Sequence, residues 1–118
     1  VTKILIIDDD RATSGLLKTV FEMEGFATVL CPDPERIMGV VRRDKPDLIF
    51  MDFHLASMES LSVLKELKAD KKLKKIPVIM TSGLDRSEEC KKAGAESFVL
   101  KPFRPVNLMD EIRTVLKK

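Results

Sequence analysis

At 118 residues the chain is long enough for one domain around a single core, and its 44% hydrophobic and 34% charged residues are those of an ordinary globular protein. The 21 basic and 19 acidic side chains leave a net charge of +2, without the basic excess that nucleic-acid binding calls for. No apolar run approaches the roughly 20 residues that span a bilayer, and no basic start leads into an apolar signal core.

Aromatic residues are scarce and Trp and Tyr are absent, so the core must be aliphatic. Cys31 and Cys90 are far apart and lack metal-ligand spacing. They read as reduced packing thiols of a cytoplasmic protein.

In chain order, "KILIID" (3–8) is a continuous apolar run rich in β-branched residues, the mark of a strand buried on both faces. Residues 12–25 follow as a helix, with Leu16, Leu17, Val20 and Phe21 at helical spacing and Gly25 to end it. "ATVLC" (27–31) is a second strand. Residues 32–46 form a second helix, with Asp33 as N-cap, Pro34 in the first turn and Pro46 as the stop. "DLIFMD" (47–52) is a third strand. Residues 61–75 are helical, with Leu61, Leu64 and Leu67 on one face and the lysines of 71–75 as its solvated end. "PVIMTS" (77–82) is a fourth strand, 86–95 a short helix closed by Gly94, "SFVLK" (97–101) a fifth strand and 105–118 a last helix. Strands and helices alternate five times, which predicts an α/β fold: a parallel sheet with helices on both faces, in one domain over 1–118.

In such sheets the ligand site lies beyond the carboxyl ends of the strands. Strand one ends in Asp8, Asp9 and Asp10, strand three in Asp52, strand four in Thr81 and Ser82, and strand five in Lys101. A cluster of like charges raises carboxylate pKa values unless a cation sits among them. Mg²⁺ suits it, since this ion takes oxygen ligands and commonly uses one or two carboxylates with phosphate oxygens. Lys101 adds a mobile positive charge and Ser82 a neutral donor. Together these groups suit phosphoryl transfer, with one carboxylate as the nucleophile that becomes an aspartyl phosphate. Asp10 is a good candidate for a turn or a helix N-cap.

The segments "ILIIDDD", "PDLIFMD", "IPVIMTSG" and "AGAESFVLKPF" resemble, in order and spacing, those of the receiver domain of two-component response regulators. That resemblance covers essentially the whole chain. It implies a doubly wound, flavodoxin-like sheet in the order 2-1-3-4-5 with five helices. It implies Asp52 as phospho-acceptor, Asp8 and Asp9 as the acidic pair for Mg²⁺, and the backbone carbonyl of His54 as a further metal contact. Ser82 matches the switch hydroxyl, with Thr81 facing away. Lys101 matches the lysine that contacts the phosphoryl group, and Phe98 the aromatic switch position. The implied donor is a sensor histidine kinase or a phosphotransfer protein. The implied recipient is an effector protein or a fused output domain, and the face of helix four, strand five and helix five is also a surface for a homodimer. The domain would not be a turnover enzyme, catalysing only its own phosphorylation and dephosphorylation. It would contact neither nucleic acid nor membrane directly.

Ala56 and Ser60 depart from the family's Pro and Gly, which predicts a less rigid loop after Asp52. The stretch from Ser82 to Ala93 is shorter than in many members, which predicts a short helix four. The His54 side chain is expected to face solvent at the site mouth. Two other readings compete. One is a degenerate receiver that binds partners without phosphorylation. The other is a Mg²⁺-dependent phosphatase using Asp8 and Asp10 as Asp-x-Asp.

Overall fold

The first apolar run becomes strand β1, Lys3–Ile7, and four more parallel strands join it: β2, Ala27–Leu30; β3, Leu48–Asp52; β4, Val78–Ser82; and β5, Ser97–Leu100. The computed structural model describes residues 1–31, 33–55 and 58–117. Their order in the sheet is 2-1-3-4-5, as the resemblance implies. β3 and β4 are buried along their whole length, which is why these segments carry no polar alternation until their last residues.

The helices are α1, Arg11–Met23; α2, Ile37–Asp44; α3, Ser60–Ala69; α4, Ser87–Lys92; and α5, Pro105–Leu116. Successive strand residues point to opposite faces, so the sheet divides the core in two. Leu5, Ile7, Ile49, Met51, Val78 and Met80 pack with Val41, Leu64, Leu67 and Cys90 of α2, α3 and α4. Ile4, Ile6, Leu48, Phe50 and Ile79 pack with Leu17, Phe21, Leu108 and Ile112 of α1 and α5. Phe50 meets Phe21 and Phe103 edge to face, each with ring centroids 6.1 Å apart. Phe98 is half-buried against the first of these layers.

Local chemistry sets the helix ends. Asp10 caps α1 by accepting the Ala12 and Thr13 amides, and Gly25 follows it at φ 91°. Gly94 has φ 109° and packs under Lys68, where an added Cβ would come within 2.7 Å of Cγ.

Several boundaries differ from those expected. The second helix begins as a 3₁₀ turn, Pro34–Arg36, and becomes α-helical at Ile37. It ends before Pro46, with Lys45 left-handed at φ 47°. α3 stops at Ala69 rather than running to 75. The Asp70 carboxylate accepts the Lys72 and Leu73 amides, so 71–75 forms turns instead of a helix end. A two-residue antiparallel ribbon, His54–Leu55 with Met58–Glu59, was not foreseen. α4 has six residues, short as expected. Among the described residues no helix is long and apolar enough to cross a membrane.

Candidate functional site

Parallel pairing places Ile7 beside Met51 and Asp52 beside Thr81, so the carboxyl ends of β1, β3 and β4 share one edge. Asp8 and Asp52 are both buried there. A buried carboxylate is costly without a partner, and Lys101 supplies one. Its Nζ donates to Asp52 Oδ2 at 2.9 Å and lies 3.9 Å from Asp8 Oδ2. The amide of His54 donates to the other Asp52 oxygen, Oδ1, at 2.9 Å.

Asp8 Oδ1 accepts the Asp10 amide at 2.9 Å. Its Oδ2 is buried and, among the described residues, accepts no hydrogen bond. Burial pushes the Asp8 carboxyl above the usual carboxylate range; the Asp10 amide opposes this, the Asp52 charge adds to it and Lys101 opposes it. Asp9 is exposed at the same strand end. Asp10 turns away to the N-terminus of α1, where its carboxylate is held by Thr13 and the first helical amides. These bonds, the Thr13 hydroxyl first, hold its pKa down. That capping role removes the second half of an Asp-x-Asp pair.

Among the described residues, no group of three or more His, Cys, Asp or Glu side chains is gathered as a cage for a metal ion. Mg²⁺ needs no such cage, because it retains several waters and is held by one or two carboxylates. The orphaned buried oxygen of Asp8, beside a second buried carboxylate, suits that hard cation. Asp8 and Asp52 therefore fit Mg²⁺.

Ser82 is fully buried at the end of β4, and its Oγ accepts the Leu84 amide at 3.1 Å. Thr81 points elsewhere, donating to the Val99 carbonyl at 2.7 Å. Gly83, Lys101, Pro102, Phe103 and Thr13 line a groove of about 460 Å³ beside the site.

Three contacts had no signal in the sequence. His54 is exposed, as expected, and its ring nitrogen Nε2 also lies 3.2 Å from Ser82 Oγ. The Arg86 guanidinium sits 5.4 Å from the Phe53 ring centroid. The Ser60 hydroxyl, 1% exposed, donates to the Phe53 carbonyl and braces the loop after Asp52. Serine in place of glycine thus adds a tie that the expected looseness did not include. Ala56, the other departure, lies outside the described residues.

Residues 4–113 match the response regulator receiver domain family. The chain is 33% identical over 117 residues to sporulation initiation phosphotransferase F of Bacillus subtilis, covering 98% of this chain and 91% of that protein. It is 30% identical over 119 residues to the DNA-binding response regulator MtrA of Mycolicibacterium smegmatis, covering 98% of this chain but 51% of that protein. The chain thus spans about half the length of the first curated relatives it matches. The solved receiver domain of a sensor histidine kinase from Pseudomonas aeruginosa PAO1 has the same fold, with a TM-score of 0.89 at 22% identity over 99% of this chain and 98% of that one. That receiver has a magnesium ion coordinated in its active-site cleft. Its fold, the family match and the carboxylates and lysine gathered at one sheet edge agree: the chain belongs to the response regulator receiver domains of two-component systems.

Proposed function

We propose that this receiver is a phosphorylation-dependent switch that accepts a phosphoryl group on Asp52. The observation that carries the reading is the buried Asp52 carboxylate, paired with Lys101 at 2.9 Å and set beside the orphaned oxygen of Asp8. The donor is a phosphohistidine on a sensor kinase or a phosphotransfer protein. A carboxylate oxygen of Asp52 attacks phosphorus in line, forming a P–O bond as the P–N bond to the donor imidazole breaks. The Lys101 ammonium holds the phosphoryl oxygens, and the His54 amide remains a fixed dipole beside the reacting carboxylate. When bound by Asp8, Asp9, Asp52 and the His54 carbonyl, Mg²⁺ supplies neutralising charge for the transferred group.

Ser82 then donates its hydroxyl proton to a phosphoryl oxygen and Phe98 turns inward. The surface of α4, β5 and α5 changes, and an effector protein, a fused output domain or a second copy binds it. Exposed Leu84, Leu100 and Val106 lend that surface the apolar area a partner needs. Receiver domains are signalling domains rather than turnover enzymes, and the same holds for this reading. The acceptor, its lysine and a buried acidic partner are all present, which speaks against a phosphorylation-independent module.

Incubation with Mg²⁺ and acetyl phosphate should add one phosphoryl group per chain, read by intact mass. Asp52→Asn should abolish it and Asp10→Asn should retain most of it. Equal labelling of wild type and Asp52→Asn would overturn the assignment. Steady turnover of a phosphomonoester would favour the phosphatase reading.

A further inference from the structure

The Ser82 hydroxyl is engaged on two sides in the unmodified domain. The Leu84 amide donates to Oγ at 3.1 Å, and His54 Nε2 lies 3.2 Å from the same atom. A serine hydroxyl has one proton to give. The imidazole that lies against it is itself held in place. Its ring meets the Phe53 ring at 78°, with centroids 5.1 Å apart, and the Arg86 guanidinium covers Phe53. Behind the ring, the His54 amide is tied to Asp52 Oδ1. Phe53 and His54 follow β3, and Ser82 and Arg86 lie at and beyond the end of β4. The four residues interlock the two loops across the mouth of the acceptor site.

We propose that the His54 imidazole is a latch on the Ser82 hydroxyl: Nε2 accepts the proton that a phosphoryl oxygen on Asp52 would otherwise receive. The latch rests on the reading of Asp52 as acceptor and Ser82 as switch hydroxyl. It makes His54 a positioning residue that sets how readily the domain switches, apart from any contact its backbone makes. The ring and the phosphoryl group compete for one proton, so the latch stabilises only the unmodified state. A contact made in one of two states shifts the balance between them by its full strength. One neutral hydrogen bond corresponds to about a two- to tenfold change in that balance.

The test is a double-mutant cycle read by affinity for beryllofluoride with Mg²⁺, a phosphoryl mimic, at one pH. His54→Ala should bind the mimic about two- to tenfold more tightly than wild type. His54→Phe, which keeps a ring against Phe53 but has no nitrogen, should gain likewise. In a Ser82→Ala background the same His54 substitutions should change nothing. Without the mimic, the Ser82 and Leu84 amide resonances of His54→Ala should move toward their mimic-bound positions.

An equal gain in both backgrounds would show that the ring acts by bulk at the site mouth, and would overturn the latch. Unchanged or weaker binding by His54→Ala would overturn it too, leaving the acceptor reading intact if wild type binds in an Asp52-dependent way. Absence of binding in every variant, wild type included, would overturn both.

Discussion

Lys101 Nζ donates to Asp52 Oδ2 at 2.9 Å, so an ammonium that follows β5 reaches across β4 to a carboxylate on β3. The same nitrogen stands 3.9 Å from Asp8 Oδ2 and serves two buried carboxylates at once. Without it they repel one another. Lys101→Met should therefore cost about 1–3 kcal/mol of stability in metal-free buffer, below the usual figure for a broken buried pair because the lysine side chain is partly exposed. Millimolar Mg²⁺ should raise the melting temperature of the variant by more than it raises that of wild type. Thermal melts at constant ionic strength, with and without Mg²⁺, measure both effects. An identical Mg²⁺ response in the two proteins would count against the ion and the ammonium sharing one site.

Asp8 gives the metal-free protein a pH dependence of definite sign. Burial raises its carboxyl pKa in the folded state, so the folded chain holds that proton more tightly than the unfolded chain does. The corresponding stability is fully present below the ordinary carboxylate value of about 4 and is lost as pH rises through the raised one. Asp8→Asn removes the buried charge and keeps an oxygen for the Asp10 amide. In metal-free buffer it should be more stable than wild type at pH 7, with the advantage shrinking toward pH 4. Urea unfolding at a series of pH values reads this directly. A wild-type advantage at pH 7 without Mg²⁺ would contradict it.

Ser82 separates chemistry from signalling. Ser82→Ala removes a neutral hydroxyl and leaves Asp52, Lys101 and Asp8 in place, so labelling by acetyl phosphate should persist. A bond from a hydroxyl to a charged phosphoryl oxygen is worth about 1.5–3 kcal/mol, and it exists only after phosphorylation. The variant should accordingly lose much of the response at Phe98 and along β5 and α5. An NMR shift map with and without beryllofluoride measures it. A full wild-type shift pattern at Phe98 would transfer the switch role to Thr81.

Ser60 is a test of the loop after Asp52. Its buried hydroxyl donates to the Phe53 carbonyl. Ser60→Ala leaves that carbonyl without this partner and should cost about 1–2 kcal/mol. Ser60→Gly should cost at least as much, since it removes the same bond and lowers the helix propensity of the first α3 residue. Denaturant midpoints at unchanged slope would record both. A neutral Ser60→Ala would mean that the loop does not depend on this tie.

The amino-acid sequence alone determined the sheet and what stands at its edge. β1, β3 and β4 are buried apolar runs that break off at Asp8, at Asp52 and at Thr81 with Ser82, and the partly buried β5 ends just before Lys101. Crossover connections bring those breaks to one side whatever the details of the helices, so the gathering of Asp8, Asp52, Ser82 and Lys101 at one sheet edge was legible from the strand ends. Asp10 was legible as a cap because its partners, Ala12 and Thr13, follow it within three residues. The end of α3 was not, since lysine-rich residues 71–75 suit a helix and only the Asp70 carboxylate turns the chain aside. Tertiary structure also decided where the His54 ring lies and what the Ser60 hydroxyl holds. His54 and Ser82 are 28 positions apart, one in the short ribbon after β3 and the other at the end of β4. Such side-chain contacts depend on loop conformation rather than on a local apolar pattern, so no spacing in the sequence announces them.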